Sequence, residues 1–432
     1  MTFARPVLFA MILSVANAAA QQAQLPRDQQ APPKEWIDPD TGHRVIRLTD
    51  EPNSASLYFN QNGYTADGKK MVYTVPGGIR VLDLATKQTK QVVEGRVRII
   101  VTGRKTPNVY YTKENTVYST DVDTLVTRRI GDIPARGSVA SVNADETLIA
   151  GTYTEAESPA EYRATPPAVG GAAPQGVPAA ANGQPQTVDQ PLNKGQMMER
   201  RLAARIPLVL FTLNTKSGEV KPILHSTDWI NHLEFSPTDP NLLMVCHEGP
   251  WHKVDRIWTM KSDGSELTKI HNRTMEMEIF GHEFWNRDGS IIWYDLQTPR
   301  GEDFWLAGYN VKTKDRVWQH LQRNEWSIHF NVNHDGTLFT GDGGDPGQVA
   351  KAPDGEWIYL FRPQPRKNEG LSDPSFIRTG VLKAEKLVNM SKHNYRLEPN
   401  VSFSPDEKWV IFRSNMFGPT YTFAVEVEKS AK

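Results

Sequence analysis

An Asp-bearing turn that leads into an apolar, aromatic-containing strand recurs along this chain and restricts what it can fold into. It occurs at Asp67-Gly68 to Tyr73, Asp145-Glu146 to Tyr153, Asp239-Pro240 to Val245, Asp288-Gly289 to Tyr294, Asp335-Gly336 to Phe339 and Asp406-Glu407 to Phe412. A weaker copy spans Lys105 to Tyr111. That makes about seven units, and a basic period of roughly 40–50 residues is the one that marks propeller blades. Runs such as Ile79-Arg80-Val81-Leu82, Leu208-Val209-Leu210-Phe211 and Trp357-Ile358-Tyr359-Leu360 supply further short strands rich in β-branched and aromatic residues.

The two ends of the pattern are incomplete in complementary ways. His43 to Leu48 reads as a strand with no partner before it, and the last repeat ends at Tyr421 to Val427 without an outer strand. Joining them removes an exposed edge. The expected fold is therefore all-β: a seven-bladed β-propeller over residues 41–432, closed by an N-terminal strand that completes the last blade.

Two stretches fall outside the repeats. Arg5, the apolar run Val7 to Val15 and the small-x-small site Ala16-Asn17-Ala18 read as a signal peptide over residues 1–18. The apolar run is shorter than the ~20 residues of a membrane helix, so no membrane span is expected after cleavage, and the protein is expected to be periplasmic or secreted. Residues 19–40 read as a disordered lead-in, and the Pro/Ala/Gly-rich residues 155–191 as an insert within a blade. Asn193 to Arg205 favours a short helix. A single cysteine, Cys246, excludes an intrachain disulfide.

Charge and motifs narrow the function. Lys+Arg of 49 against Asp+Glu of 50 gives a net charge of −1, so no global field recruits nucleic acid, and an acidic ligand must be met by local cations. There is no G-x-S-x-G elbow and no H-E-x-x-H. Functional groups crowd instead between Gly281 and Asp345, with His282, Glu283, Trp285, Arg300 and His329 among strand ends and Asp-Gly turns. His232, His247, His282 and His329 recur at comparable places in successive repeats, which directs them toward one end of the fold. A non-catalytic ring binding acidic oligosaccharides or envelope partners, in the manner of TolB, is the alternative reading. A glycoside hydrolase built on Glu248, Glu283 and Asp295 is a third.

Asn231-His232-Leu233-Glu234-Phe235-Ser236-Pro237, Cys246-His247-Glu248-Gly249-Pro250, Gly281-His282-Glu283-Phe284-Trp285 and the segment from His329 to Asp345 together resemble the oligogalacturonate lyases of polysaccharide lyase family 22. The resemblance implies a seven-bladed propeller that cleaves short oligouronides by β-elimination with a manganese-type divalent metal. It implies His232 as the base with Arg205 as its arginine partner. Beside these, the residues themselves offer His247, Glu248, His329, Arg300 and Trp285 as candidate substrate-binding groups, Trp285 by stacking on a sugar face. The first metal ligand is kept as His282. Where the family has Gln-x-x-His-x-His, this chain has Tyr395, Glu398 and Asn400, so Glu398 and Asn400 are the remaining candidate ligands. Carboxylate and amide oxygens are harder donors than imidazole and suit manganese, magnesium or calcium.

The implied reaction has a clear physical requirement. The C5 proton of a uronate becomes removable only when the neighbouring carboxylate is neutralised by a metal or a guanidinium. Histidine is the side chain whose base form is available near neutral pH.

Overall fold

The computed structural model describes residues 32–157, 193–348, 352–367, 370, 373 and 375–429. The expected signal peptide, most of the lead-in and residues 158–191 of the insert lie outside them.

The described residues form 28 β-strands and one α-helix. Strands adjacent in sequence pair antiparallel within each sheet. Residues 70–94 carry a three-stranded sheet, and residues 98–132, 137–226 and 229–269 carry four-stranded sheets. Residues 279–321 and 330–389 each form a four-stranded meander. Parallel pairing of β21 (Arg316–Leu321) with the start of β25 (Arg378–Asn389) fuses these two into one eight-stranded sheet.

The remaining sheet joins the two ends of the described chain, in the order β1 (Glu35–Ile37), β2 (Arg44–Arg47), β28 (Tyr421–Glu426), β27 (Trp409–Ser414) and β26 (Ser402–Phe403). Val45 faces Val425, and Ile46 faces Ala424. The lead-in expectation needs correcting here. Glu35–Ile37 is a strand paired with β2, so the N-terminal strand does have a partner before it.

The recurrent turn has a local cause. In five of the six Asp turns the next residue takes the left-handed conformation, with φ of 69° at Gly68, 70° at Gly289, 74° at Gly336, 62° at Glu146 and 59° at Glu407; Pro240 is the exception. The Asp carboxylate bridges the turn, as when Asp288 Oδ1 accepts from Ser290 N–H at 2.8 Å. Central strands of the sheets are buried on both faces. β12 (Leu208–Asn214) and β19 (Ile291–Gln297) expose none of their apolar side chains beyond their ends. Outer strands such as β9 (Thr127–Asp132) are polar, which blunts a free edge.

The core is correspondingly divided. Leu210 of one sheet packs with Ile230 and Val245 of the next, and Phe284 and Phe304 pack with Phe330, Tyr359 and Phe361. Each such side chain contributes about 1.5–3 kcal/mol by leaving water. These layers hold the inner ends of neighbouring sheets in fixed relation.

Candidate active site

Two bulges build the site. In β14 (Trp229–Phe235) the pairing with β15 (Leu242–Glu248) slips between Asn231 and Glu234. In β18 (Ile279–Trp285) the pairing with β19 slips between Gly281 and Phe284. His232 and His282 occupy these bulges with φ of 45° and 47°, and Asn400, ahead of β26, has φ of 54°. Left-handed backbone at a residue with a Cβ costs about 1–3 kcal/mol and concentrates at functional sites.

Each inner-strand histidine is held by a carboxylate from the next strand or its end. His232 Nε2 lies 3.0 Å from Glu248 Oε2. His282 Nδ1 lies 3.3 Å from Asp295 Oδ2, and His329 Nδ1 lies 2.8 Å from Asp342 Oδ2. Behind Glu248 stands Arg256, whose Nη1 donates to Glu248 Oε1 at 2.7 Å and whose guanidinium stacks 4.5 Å from the Trp251 ring. Trp251 in turn meets His282 edge-on at 5.1 Å, and His282 meets His329 at 5.0 Å. Gly281 makes this packing possible, because a Cβ there would sit 3.0 Å from the Trp251 ring and 3.1 Å from Arg256 Nε.

The electrostatics follow from these contacts. Burial works against a charged His232, yet the hydrogen bond and charge of Glu248, with Glu283 nearby, raise its pKa above the usual imidazole value. Burial pushes Glu248 the other way, but Arg256 and His232 hold its carboxyl well below the ordinary range. With Nε2 turned to Glu248, Nδ1 is the nitrogen left to meet a ligand, and the His232 side chain is 37% exposed.

The other expected site residues divide sharply. His329 is fully buried, its Nε2 2.9 Å from the Tyr58 hydroxyl and 3.8 Å from Glu398 Oε2, so it orders the site rather than touching a ligand. Glu248, only 7% exposed, is committed between His232 and Arg256 and is likewise no substrate contact. Trp285, expected to face a sugar, packs in the core and donates to the Glu234 carbonyl at 3.2 Å. Arg300 is exposed on the loop after β19 and makes no side-chain contact with the histidines. Arg205 caps α1 (Lys194–Ala204) and pairs with Asp228, which also lies 3.8 Å from His247 Nδ1, and among the described residues no hydrogen bond or ion pair joins Arg205 to His232. Burial lowers the His247 pKa.

The candidate metal ligands also separate. Glu398 retains an accessible carboxylate; burial raises its pKa, but His329 and His282 outweigh that and lower it. Asn400 is tied to the backbone: its Oδ1 accepts from Phe59 N–H at 3.3 Å and its Nδ2 donates to the Glu398 carbonyl at 3.0 Å. Tyr395 is buried and donates to the Asp342 carbonyl. Among the described residues no three His, Cys, Asp or Glu side chains are already grouped around a common ion position. Glu248, Glu283 and Asp295 are all buried, so none presents a carboxylate pair to a sugar.

The sequence profile of the family described as oligogalacturonate lyase matches residues 190–431. The chain belongs to the oligogalacturonate lyase family. It is thereby an enzyme of the polysaccharide-lyase class. Full-length relatives agree: the oligogalacturonide lyase of Pectobacterium atrosepticum is 26% identical over 416 residues, covering 91% of this chain and 96% of that protein. The oligogalacturonate lyase of Dickeya dadantii is 25% identical over 419 residues, with the same coverage. Among solved structures, an oligogalacturonate lyase in complex with manganese superposes with a TM-score of 0.70 at 22% identity, covering 91% of this chain and 96% of that one. The oligogalacturonate lyase of Vibrio parahaemolyticus gives 0.69 at 23% identity, covering 92% and 97%. The all-β fold of this lyase is thus that of the solved family structures.

Tyr58 and Arg256 are not marked by any of the sequence motifs, and the support that Asp295 and Asp342 give to His282 and His329 is not stated by those motifs either. For the two aspartates a pattern exists in the sequence: Asp295 follows His282 by the same interval as Asp342 follows His329. Nothing local marks Tyr58, which reaches the site from a loop distant in sequence.

Proposed function

We propose that this lyase is exported and cleaves short oligogalacturonides by β-elimination to 4,5-unsaturated products, from a seven-bladed propeller whose last blade β2 completes. The observation that carries the reading is His232, presented on a strained bulge with one nitrogen fixed by the buried Glu248–Arg256 pair and the other open. Such an imidazole is oriented to accept a proton. His232 Nδ1 takes the C5 proton of the uronate, the C5 electron pair forms the C4–C5 double bond, and the O4 leaving group departs with its bonding electrons. Glu248 stabilises the imidazolium that results, and Arg256 keeps Glu248 ionised.

A divalent metal belongs to the proposal, supported by the manganese complex of the relative and by the donor chemistry of two residues here. His282 has Nδ1 on Asp295 and Nε2 left over, the pattern of a ligand with a carboxylate behind it. Glu398 offers a hard carboxylate oxygen. Bound there, a manganese-type ion would supply Lewis acidity toward the uronate carboxylate. Export is supported by Arg5, the Val7 to Val15 run and Ala16-Asn17-Ala18.

The test compares two variants on defined oligogalacturonides, with and without chelator. His232→Ala is expected to abolish elimination while leaving metal binding intact, whereas His282→Ala weakens metal binding and recovers partly with added metal. Wild-type turnover in both variants would remove this site from the reaction.

A further inference from the structure

The last sheet breaks a rule that its two predecessors keep. Asp295 stands thirteen residues after His282, and Asp342 thirteen after His329; thirteen residues after Asn400 stands Arg413. The strand geometry corresponds. Asp295 pairs with Gly281, the residue before His282, and Arg413 N–H donates to Pro399, the residue before Asn400, at 2.9 Å. Where the two preceding meanders place a carboxylate behind a histidine, this sheet places a guanidinium beside an amide.

That guanidinium is anchored but makes no ion pair among the described residues. Arg413 Nε donates to the Glu398 carbonyl at 2.8 Å, which fixes the plane of the fork. Its Nη1 and Nη2 make no hydrogen bond, and it forms no ion pair among the described residues. Asp342 holds His329, and the Glu398 carboxylate lies 3.8 Å from His329 Nε2 without pairing with Arg413. Glu398, Tyr58 and Asp342 face it closely enough to act on its charge, against the burial that disfavours it. The side chain is half-buried rather than enclosed, so a ligand can reach it. An ionised group taken partly out of water without a partner costs several kcal/mol and is retained where an anion completes it. A planar fork with two free nitrogens matches a carboxylate in bidentate fashion.

We propose that Arg413 is a carboxylate-binding residue of this site, gripping a uronate carboxylate through Nη1 and Nη2. The inference rests on the oligouronide reading above and adds to it the residue that distinguishes acid from ester. Arg413 supplies part of the neutralisation that C5 deprotonation needs, from a place where the neighbouring sheets carry acids.

The experiment measures dissociation constants of digalacturonate and of its methyl ester by calorimetry, in a His232→Ala background that prevents turnover. The parent background is expected to prefer the free acid, and Arg413→Gln to lose about ten- to hundredfold of acid affinity while ester affinity stays unchanged, so that the preference disappears. Arg413→Lys retains part of it. A preference for the acid that survives Arg413→Gln overturns the inference. If the background binds neither compound and the parent cleaves no uronide, the lyase reading itself fails, and melting temperature then decides the role of Arg413. Removing an unpaired, partly buried charge in Arg413→Met leaves that temperature unchanged or higher, whereas a clear fall would show a structural cation and overturn the inference.

Discussion

Replacing Glu248 by Gln isolates what the buried carboxylate does for His232. The two groups lie 3.0 Å apart, and among the described residues Glu248 is also the only acid bonded to Arg256. Two effects are expected. A hydrogen bond to a charged group contributes about 1.5–3 kcal/mol, so losing the orientation of the imidazole lowers kcat/KM by roughly ten- to hundredfold. The pH profile also moves. Elimination needs neutral His232, so activity rises as pH climbs through its pKa. Glu248 raises that pKa, and Glu248→Gln therefore shifts the rising limb toward lower pH. Arg256, left uncompensated, destabilises the fold by about 3–5 kcal/mol. Glu248→Gln combined with Arg256→Met should recover much of that stability and none of the profile. The assay is kcat/KM for a trigalacturonide between pH 5 and 9, alongside denaturant unfolding. An unmoved rising limb in Glu248→Gln would refute the coupling.

Three further outcomes follow from the packing. Gly281→Ala forces a Cβ against Trp251 and Arg256, and is expected to cost about 1–3 kcal/mol in unfolding and to lower turnover without changing the pH limb. Burial lowers the His393 pKa to about 4, with its ring bonded to Ser414 Oγ and the Leu397 carbonyl. Because the folded value lies below the unfolded one, this contribution is complete above pH 6.5 and fades as pH falls toward 4, a loss of about 3 kcal/mol that should shrink in His393→Gln when melting is followed across that range. Deleting Thr41 to Asp50 removes β2 and exposes the edge of β28; the lost burial of Val45 and Leu48 alone is about 3–6 kcal/mol, and an unchanged unfolding midpoint would contradict the pairing.

What could be read in advance was whatever depends on local chemistry. The Asp-led turn needs only one left-handed residue and one carboxylate, so its copies are visible residue by residue. The strand Glu35–Ile37 was hidden, since the five residues between Pro33 and Pro39 are too few to show an alternation, and only β2 gives the strand a partner. The parallel junction of β21 with β25 joins residues some sixty positions apart and leaves no local trace. In the site, His232 and His282 were legible as recurrent positions. The partners of Glu248 depend on strand register and on Arg256, which motif order does not convey. Trp285 looks the same in sequence whether it faces a sugar or fills a gap between sheets, and here it fills the gap.

The central claim is that His232 removes a proton and leaves an unsaturated sugar. Its most direct measurement is ultraviolet absorbance of the 4,5-unsaturated product during digestion of a defined oligogalacturonide by the parent and by His232→Ala, with the product mass recorded. The account predicts growth of that band in the parent, fragments whose masses sum to that of the substrate without added water, and no band in the variant. Hydrated fragments, or equal growth in both proteins, would contradict it.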